Sequence, residues 1–279
     1  MKKVIGHMTD SAWAEKQVDM LSTLVKGAVA RVGEKPNLLN QLLLNAISQA
    51  GAISIATASA PDSLSALSLG AQTAAAIFAA AAIEVGEIEV KLGDGPPIRF
   101  QATGPTGTAH VVNWRLGFFV AAICRDRDSL DILSQTPIEV LRRSGSSGAE
   151  CLYHFVAVLQ NLWRRDRDMG ELIQRALEAT DPNRVEEESV DFVLNQIVPE
   201  IELVYRYMLQ NPADFNESLV FALERHKKYW SKADRKRDPI GWFALGPLAI
   251  ASFAQDADMR VEVESTYLPL ALVRGDFVQ

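Results

Sequence analysis

Apolar positions recur at helical spacing along most of the chain. Between residues 11 and 31, Trp13, Val18, Leu21, Leu24, Val25, Ala28 and Val29 form a stripe at i, i+3, i+4, i+7 intervals, as on one face of an amphipathic helix. Gly33 and Pro36 end it, and residues 38–50 repeat the pattern. Ser59-Ala-Pro61-Asp62 reads as a helix start, with Pro and Asp in the first turn, leading to an alanine-rich helix that runs to about Ile83. The period then changes to two. Glu87-Ile-Glu-Val-Lys-Leu92 alternates polar and apolar, Gly93-Asp-Gly95 turns, and Ile98-Arg-Phe-Gln-Ala102 alternates again, which predicts a β-hairpin. Pro96-Pro97 lacks N–H donors, so the second strand begins after it.

From Val111 on, the helical period returns in short segments. Helices are predicted near residues 111–124, 127–134, 137–143, 149–165, 169–179, 187–210, 212–230 and 239–256. Asp128-Ser-Leu-Asp, Thr136-Pro137, Asp181-Pro182 and Asn211-Pro212 supply the starts and stops. Links of a few residues force neighbouring helices antiparallel. The expected fold is therefore mainly α, an irregular, α-solenoid-like array of helical hairpins with one small β-hairpin near 87–102. The tail, Val261-Glu-Val-Glu-Ser-Thr-Tyr267, alternates like a strand, and residues 261–265 are a candidate third strand for that hairpin. No flexible linker flanks the hairpin, so the whole chain, 1–279, reads as one α-helical domain.

Composition changes this picture little. The 279 residues are 48% apolar and 23% charged, enough to bury a large core and too apolar for disorder as the main state. The net charge of −7 argues against a nucleic-acid backbone as main partner and leaves no nucleic acid among the expected ligands. Residues 64–85 are long and apolar but mostly alanine, interrupted by Ser65, Ser68, Gln72 and Thr73, which suits a packed helix rather than a membrane span. Lys2-Lys3 is followed by Asp10, Glu15 and Asp19 before any apolar run, so no signal peptide is expected. Cys124 and Cys151 sit in apolar helices and read as thiols in a reducing cytoplasm.

Charge along the chain is more informative. Residues 186–224 hold nine acids and one base, Arg206; residues 225–237 hold seven bases and one acid, Asp234. These blocks either pair across a helical hairpin or form patches that steer a charged partner. Glu202 and Arg206 stand at i, i+4, the spacing of a helix ion pair. Lys227-Lys228-Tyr229-Trp230 reads as the cationic end of a helix with its aromatics turned inward. Arg125-Asp126-Arg127-Asp128 reads as one helix end joined to the next helix start. Glu150, Cys151 and His154 share a helix face, but the four histidines are scattered, and neither a metal nor a cofactor is expected.

The runs Phe215-Asn-Glu-Ser-Leu-Val-Phe-Ala-Leu-Glu224-Arg-His226-Lys-Lys-Tyr229-Trp230, Asp238-Pro-Ile-Gly-Trp-Phe-Ala-Leu-Gly246-Pro247 and Val261-Glu-Val-Glu-Ser-Thr-Tyr267-Leu-Pro269 resemble the immunity protein 49 family of bacterial polymorphic-toxin systems. Asn113-Trp114, Ile123-Cys-Arg-Asp126, Leu152-Tyr-His154 and Val198-Pro-Glu-Ile-Glu-Leu203 agree with it. The likeness covers roughly residues 60–275; the first 60 read as a variable helical part. It implies a cytoplasmic, non-enzymatic antidote that binds a cognate toxin domain and occludes its active site. Candidate contacts are Glu200, Glu202, Tyr205 and Arg206 on one helix, and His226, Tyr229, Trp230 and Trp242 on the neighbouring hairpin. The Gly246-Pro247 pair implies close helix packing or a kink. Two alternatives stand beside this reading. One is a helical scaffold that binds a peptide or protein. The other is an α-helical enzyme using Asp126, His154, Glu202 or His226.

Overall fold

The computed structural model describes residues 2–8, 10–146 and 148–277. It is mainly α. Strand β1 (Lys2–Val4) precedes α1 (Ser11–Val29), α2 (Leu38–Ala56) and α3 (Ala60–Ala81); the hairpin β2 (Glu87–Val90) and β3 (Ile98–Gln101) follows. Then come α4 (Val111–Cys124), α5 (Arg127–Gln135), α6 (Ile138–Arg142), α7 (Glu150–Arg164), α8 (Met169–Glu178) and α9 (Glu187–Phe192). The chain ends through α10 (Val198–Met208), α11 (Pro212–Trp230), α12 (Leu245–Asp256), β4 (Val263–Ser265) and α13 (Leu270–Arg274).

Local chemistry sets these limits. Ser59 caps α3 by accepting from the Asp62 N–H, and Asn211 caps α11 by accepting from Ala213 and Asp214 ahead of Pro212. Helix α4 is apolar all round and almost wholly buried, with α2, α3, α5, α7 and α12 packed about it. It gives the array of hairpins a centre, where Trp114, Phe118, Phe119 and Phe155 are sealed from solvent. Helices α2 and α3 are long and apolar enough to cross a membrane, but most of each apolar window is buried against its neighbours.

Three expectations need correction. The tail strand does not join the hairpin. Strand β4 pairs in parallel with β1, Lys2 opposite Val263 and Val4 opposite Ser265, while β2 and β3 form their own two-stranded sheet. The hairpin turns Ile88 and Phe100 into the main core, and its turn is held by the Gly93 N–H donating to Gln72. The helix expected over 187–210 is interrupted by a π-helical turn, Val193–Ile197. The helix expected over 239–256 is a 3-10 turn, Pro239–Trp242, then extended backbone at Phe243, then α12. Pro247 accounts for that break, since it has no N–H to bond back to Phe243 and a helix can only start just before it; Gly241 lets the preceding turn lie against the indole, where a Cβ would fall 2.2 Å from the Trp230 ring.

Candidate partner-binding site

Helices α10 and α11 place the candidate residues in three environments. The first is the core. Arg115 is the one charged side chain of α4, and it meets Glu200 of α10: Nε donates to Oε2 at 2.8 Å and Nη2 donates to Oε1. Both side chains are buried, 7% and 2% exposed. The guanidinium also lies over Phe119 and Phe192, 5.0 and 5.5 Å from their ring centres. Burial pushes the Glu200 carboxyl above its usual range, and the Arg115 charge opposes that push. Gly246 of α12 makes room for the carboxylate; a Cβ there would sit 2.3 Å from Glu200 Oε1. Glu200 is thus an internal fastener between α4, α10 and α12, not a surface contact.

His226 is also buried. Its Nε2 donates to the Gly241 carbonyl at 2.8 Å, and its Nδ1 lies 3.2 Å from Gln196 Oε1 on the π turn. Burial drives its pKa down to about 3, so the ring is neutral across the physiological range. Tyr267 packs edge-on at 4.8 Å, and its hydroxyl reaches His7 of the N-terminal segment. Glu200, His226, Tyr229 and Trp230 line one apolar cavity of about 230 Å³, together with Arg115 and Phe192. Tyr229 and Trp230 are half-buried and turned inward at the cationic end of α11. Trp242 lies apart, buried against Trp13 of α1 at 5.4 Å.

The second environment is the outer face of the α10–α11 hairpin. Arg206 donates to Glu202 at 2.7 Å, lies 3.8 Å from Asp214 of α11, and covers the Tyr205 ring. On α11, Asp214, Phe221 and Arg225 share a stripe at i, i+7, i+11, with Arg225 over Phe221 at 4.8 Å. Tyr205 and Phe221 are 41% and 42% exposed, and Leu194 of the π turn is exposed as well. Phe221, Leu194 and Arg115 were not among the sequence candidates. Arg115 had a signal: a lone charge in a helix apolar on every side needs a partner.

The third environment holds the charge blocks. Asp191 pairs with Lys232 at 2.9 Å and with Arg235 at 3.3 Å, and Arg235 stacks on Tyr229 at 4.0 Å. The acidic and basic blocks therefore touch through Asp191.

The residues of the enzyme alternative sit on separate elements with separate partners. Asp126 caps α5 by accepting from the Ser129 N–H and hydroxyl. His154 lies 3.7 Å from Glu150, which Arg142 engages with two guanidinium nitrogens. Glu202 faces outward, and His226 is internal. Both cysteines are free thiols, and burial raises their pKa values.

The geometry defines a mainly α protein whose buried charges lock helices together and whose last long hairpin turns aromatic side chains outward. Residues 56–272 match the family model of Immunity protein 49, and the chain belongs to that family. Immunity proteins are generally non-enzymatic, and membership implies a protein partner, a toxin in general terms. No curated protein and no solved structure matches the chain.

Proposed function

We propose that this chain is a cytoplasmic antidote that binds one cognate toxin domain and blocks its active site or the path of its substrate. The family match over residues 56–272 carries the reading. The outer face of α10–α11 supports it. Exposed Tyr205 and Phe221, each beneath an arginine, are the residue types that anchor interfaces. The buried Arg115–Glu200 pair holds α10 against α4, so the face is presented rigidly and little ordering cost is left for binding. The net charge of −7 would steer the protein towards a basic toxin, with an association rate that falls as salt rises.

The test is co-expression with the open reading frame immediately upstream, scoring growth and co-purification together. A neighbour that is toxic alone, and harmless in a stable complex with this chain, supports the proposal. A neighbour that is harmless and unbound refutes the cognate-neighbour form of it.

A further inference from the structure

The tetrapeptide Arg-Asp-Arg-Asp occurs twice, at residues 125–128 and 165–168. Both copies make the same kind of corner. Arg125 ends α4 and Arg165 ends α7, each in the left-handed region at φ 55° and 58°. An aspartate then caps the next helix: Asp126 for α5 and Asp168 for α8. Although forty residues apart, the two corners border one groove. A cavity of about 290 Å³ is lined by Arg125, Arg127 and Arg165, and an adjoining one of about 420 Å³ by Arg165 and Arg167. Leu162 and Tyr207 line both, and Phe253 adds to the floor of the first.

The four arginines are not equivalent. Arg125 is committed to the fold. It donates to the carbonyls of Ile123, Leu272 and Val273 and pairs with Asp256. Arg127, Arg165 and Arg167 are exposed and make no ion pair among the described residues. Asp166 pairs with Arg164, and the Asp168 carboxylate caps α8, so the acids of the second copy are already engaged. The backbone of that corner is fixed from inside. Buried Asn161 accepts from the N–H groups of Asp166 and Arg167 and donates to the Arg167 carbonyl. Three unpaired guanidinium forks therefore stand on preset backbone around an apolar floor, in a protein that is acidic overall.

We infer that this groove receives an acidic segment of the protein partner, with carboxylates on the free arginines and an apolar side chain between them on Leu162, Tyr207 and Phe253. Guanidinium forks match carboxylates in a bidentate way. The apolar floor favours a peptide, which can set an apolar side chain between its carboxylates, over a phosphodiester strand, whose charges repeat without interruption. Tyr207 and Met208 at the end of α10, and Gln210 in the turn that follows, line the groove, which makes it continuous with the end of the proposed toxin-binding hairpin. Assigning the segment to a toxin rests on the function proposed above; the ligand chemistry of the groove does not.

The test is calorimetric titration of the full chain with three probes. These are a short synthetic peptide of glutamate pairs separated by phenylalanine, its glutamine counterpart, and an oligothymidylate of matched charge. The glutamate peptide is expected to bind, more weakly as salt rises, and the R127Q/R165Q/R167Q variant to lose about tenfold in affinity. Melting at the wild-type temperature confirms that the variant folds, and R127Q/R167Q is the substitute if it does not. Failure of the glutamate peptide to bind, equal binding of the glutamine peptide, unchanged affinity of the variants, or tighter binding of the oligothymidylate overturns the inference. The upstream gene product is tested in parallel. Peptide binding without toxin binding would sink the toxin reading alone, and toxin binding without peptide binding would sink the groove alone.

Discussion

Removing one member of the Arg115–Glu200 pair should cost far more than removing both. In E200L the Arg115 guanidinium, 7% exposed, would be left among Phe119, Phe192 and the new leucine with no counter-charge. Breaking a buried pair from one side costs about 3–5 kcal/mol, because the remaining charge keeps its desolvation penalty. For a domain whose whole stability is about 5–15 kcal/mol, that is a large share. At roughly 2–4 °C per kcal/mol, E200L should melt about 6–20 °C below wild type. R115M should behave alike, since it strands a carboxylate that Gly246 crowds closely. The double variant R115M/E200L replaces the pair with apolar groups of similar volume and should return to within about 1–2 kcal/mol of wild type. Urea unfolding followed by circular dichroism gives the double-mutant cycle directly. Single variants that each cost under about 1 kcal/mol would show the pair to be hydrated and weak. A double variant that costs the sum of the singles would show that each side chain matters for packing alone. Either result refutes the account of a charge-locked helix.

G246A should destabilise by about 1–3 kcal/mol, because its Cβ would fall 2.3 Å from a carboxylate that cannot move. G27A, in α1 with nothing within 4 Å, should stabilise by about 0.5–1 kcal/mol, and chemical denaturation of the two variants checks the opposite signs. His226 has a folded-state pKa of about 3 against an ordinary 6.5, so the unfolded chain takes up the proton first. Its contribution to stability is whole above pH 6.5 and is lost as pH falls towards 3, about 2 kcal/mol of it between pH 7 and pH 5. Unfolding free energies against pH should fall less steeply by that amount in H226Q; parallel curves would contradict the assignment. Y205A and F221A should each weaken toxin binding by about 1–2 kcal/mol in calorimetry while leaving the melting temperature in place.

Local signals are legible in the sequence, and distant pairings are not. The period-two alternation on either side of Gly93-Asp-Gly95 gave the hairpin, and Asn211-Pro212 gave the start of α11, because each depends on a few adjacent residues. The Arg125-Asp126 corner was legible for the same reason. Glu200 reads as a surface residue because its partner lies 85 residues earlier in the chain; only the fold brings them together. The partner of β4 was hidden likewise, since Lys2-Lys3-Val4 is too short to show a period. At Gly246 the sequence indicated a close approach, and the structure shows the approaching group to be a carboxylate. The repeat of Arg-Asp-Arg-Asp at residues 165–168 carries no meaning in the sequence alone, because its role depends on two corners meeting in space.

The parallel pairing of β1 with β4 also has a consequence for how the chain is made. Lys3 donates to Glu264 and the His7 N–H donates to the Tyr267 hydroxyl, bonds that span 261 and 260 residues. At a ribosomal rate of roughly 5–20 residues per second, the first strand waits on the order of 10–50 s for its mate. During that interval its backbone donors and acceptors stand open, and His226 lacks the Tyr267 ring that packs against it. A chain interrupted before residue 263 would carry α11 but not the strand pair that packs on it, and that locally open end is where such a chain would be most exposed to proteolysis.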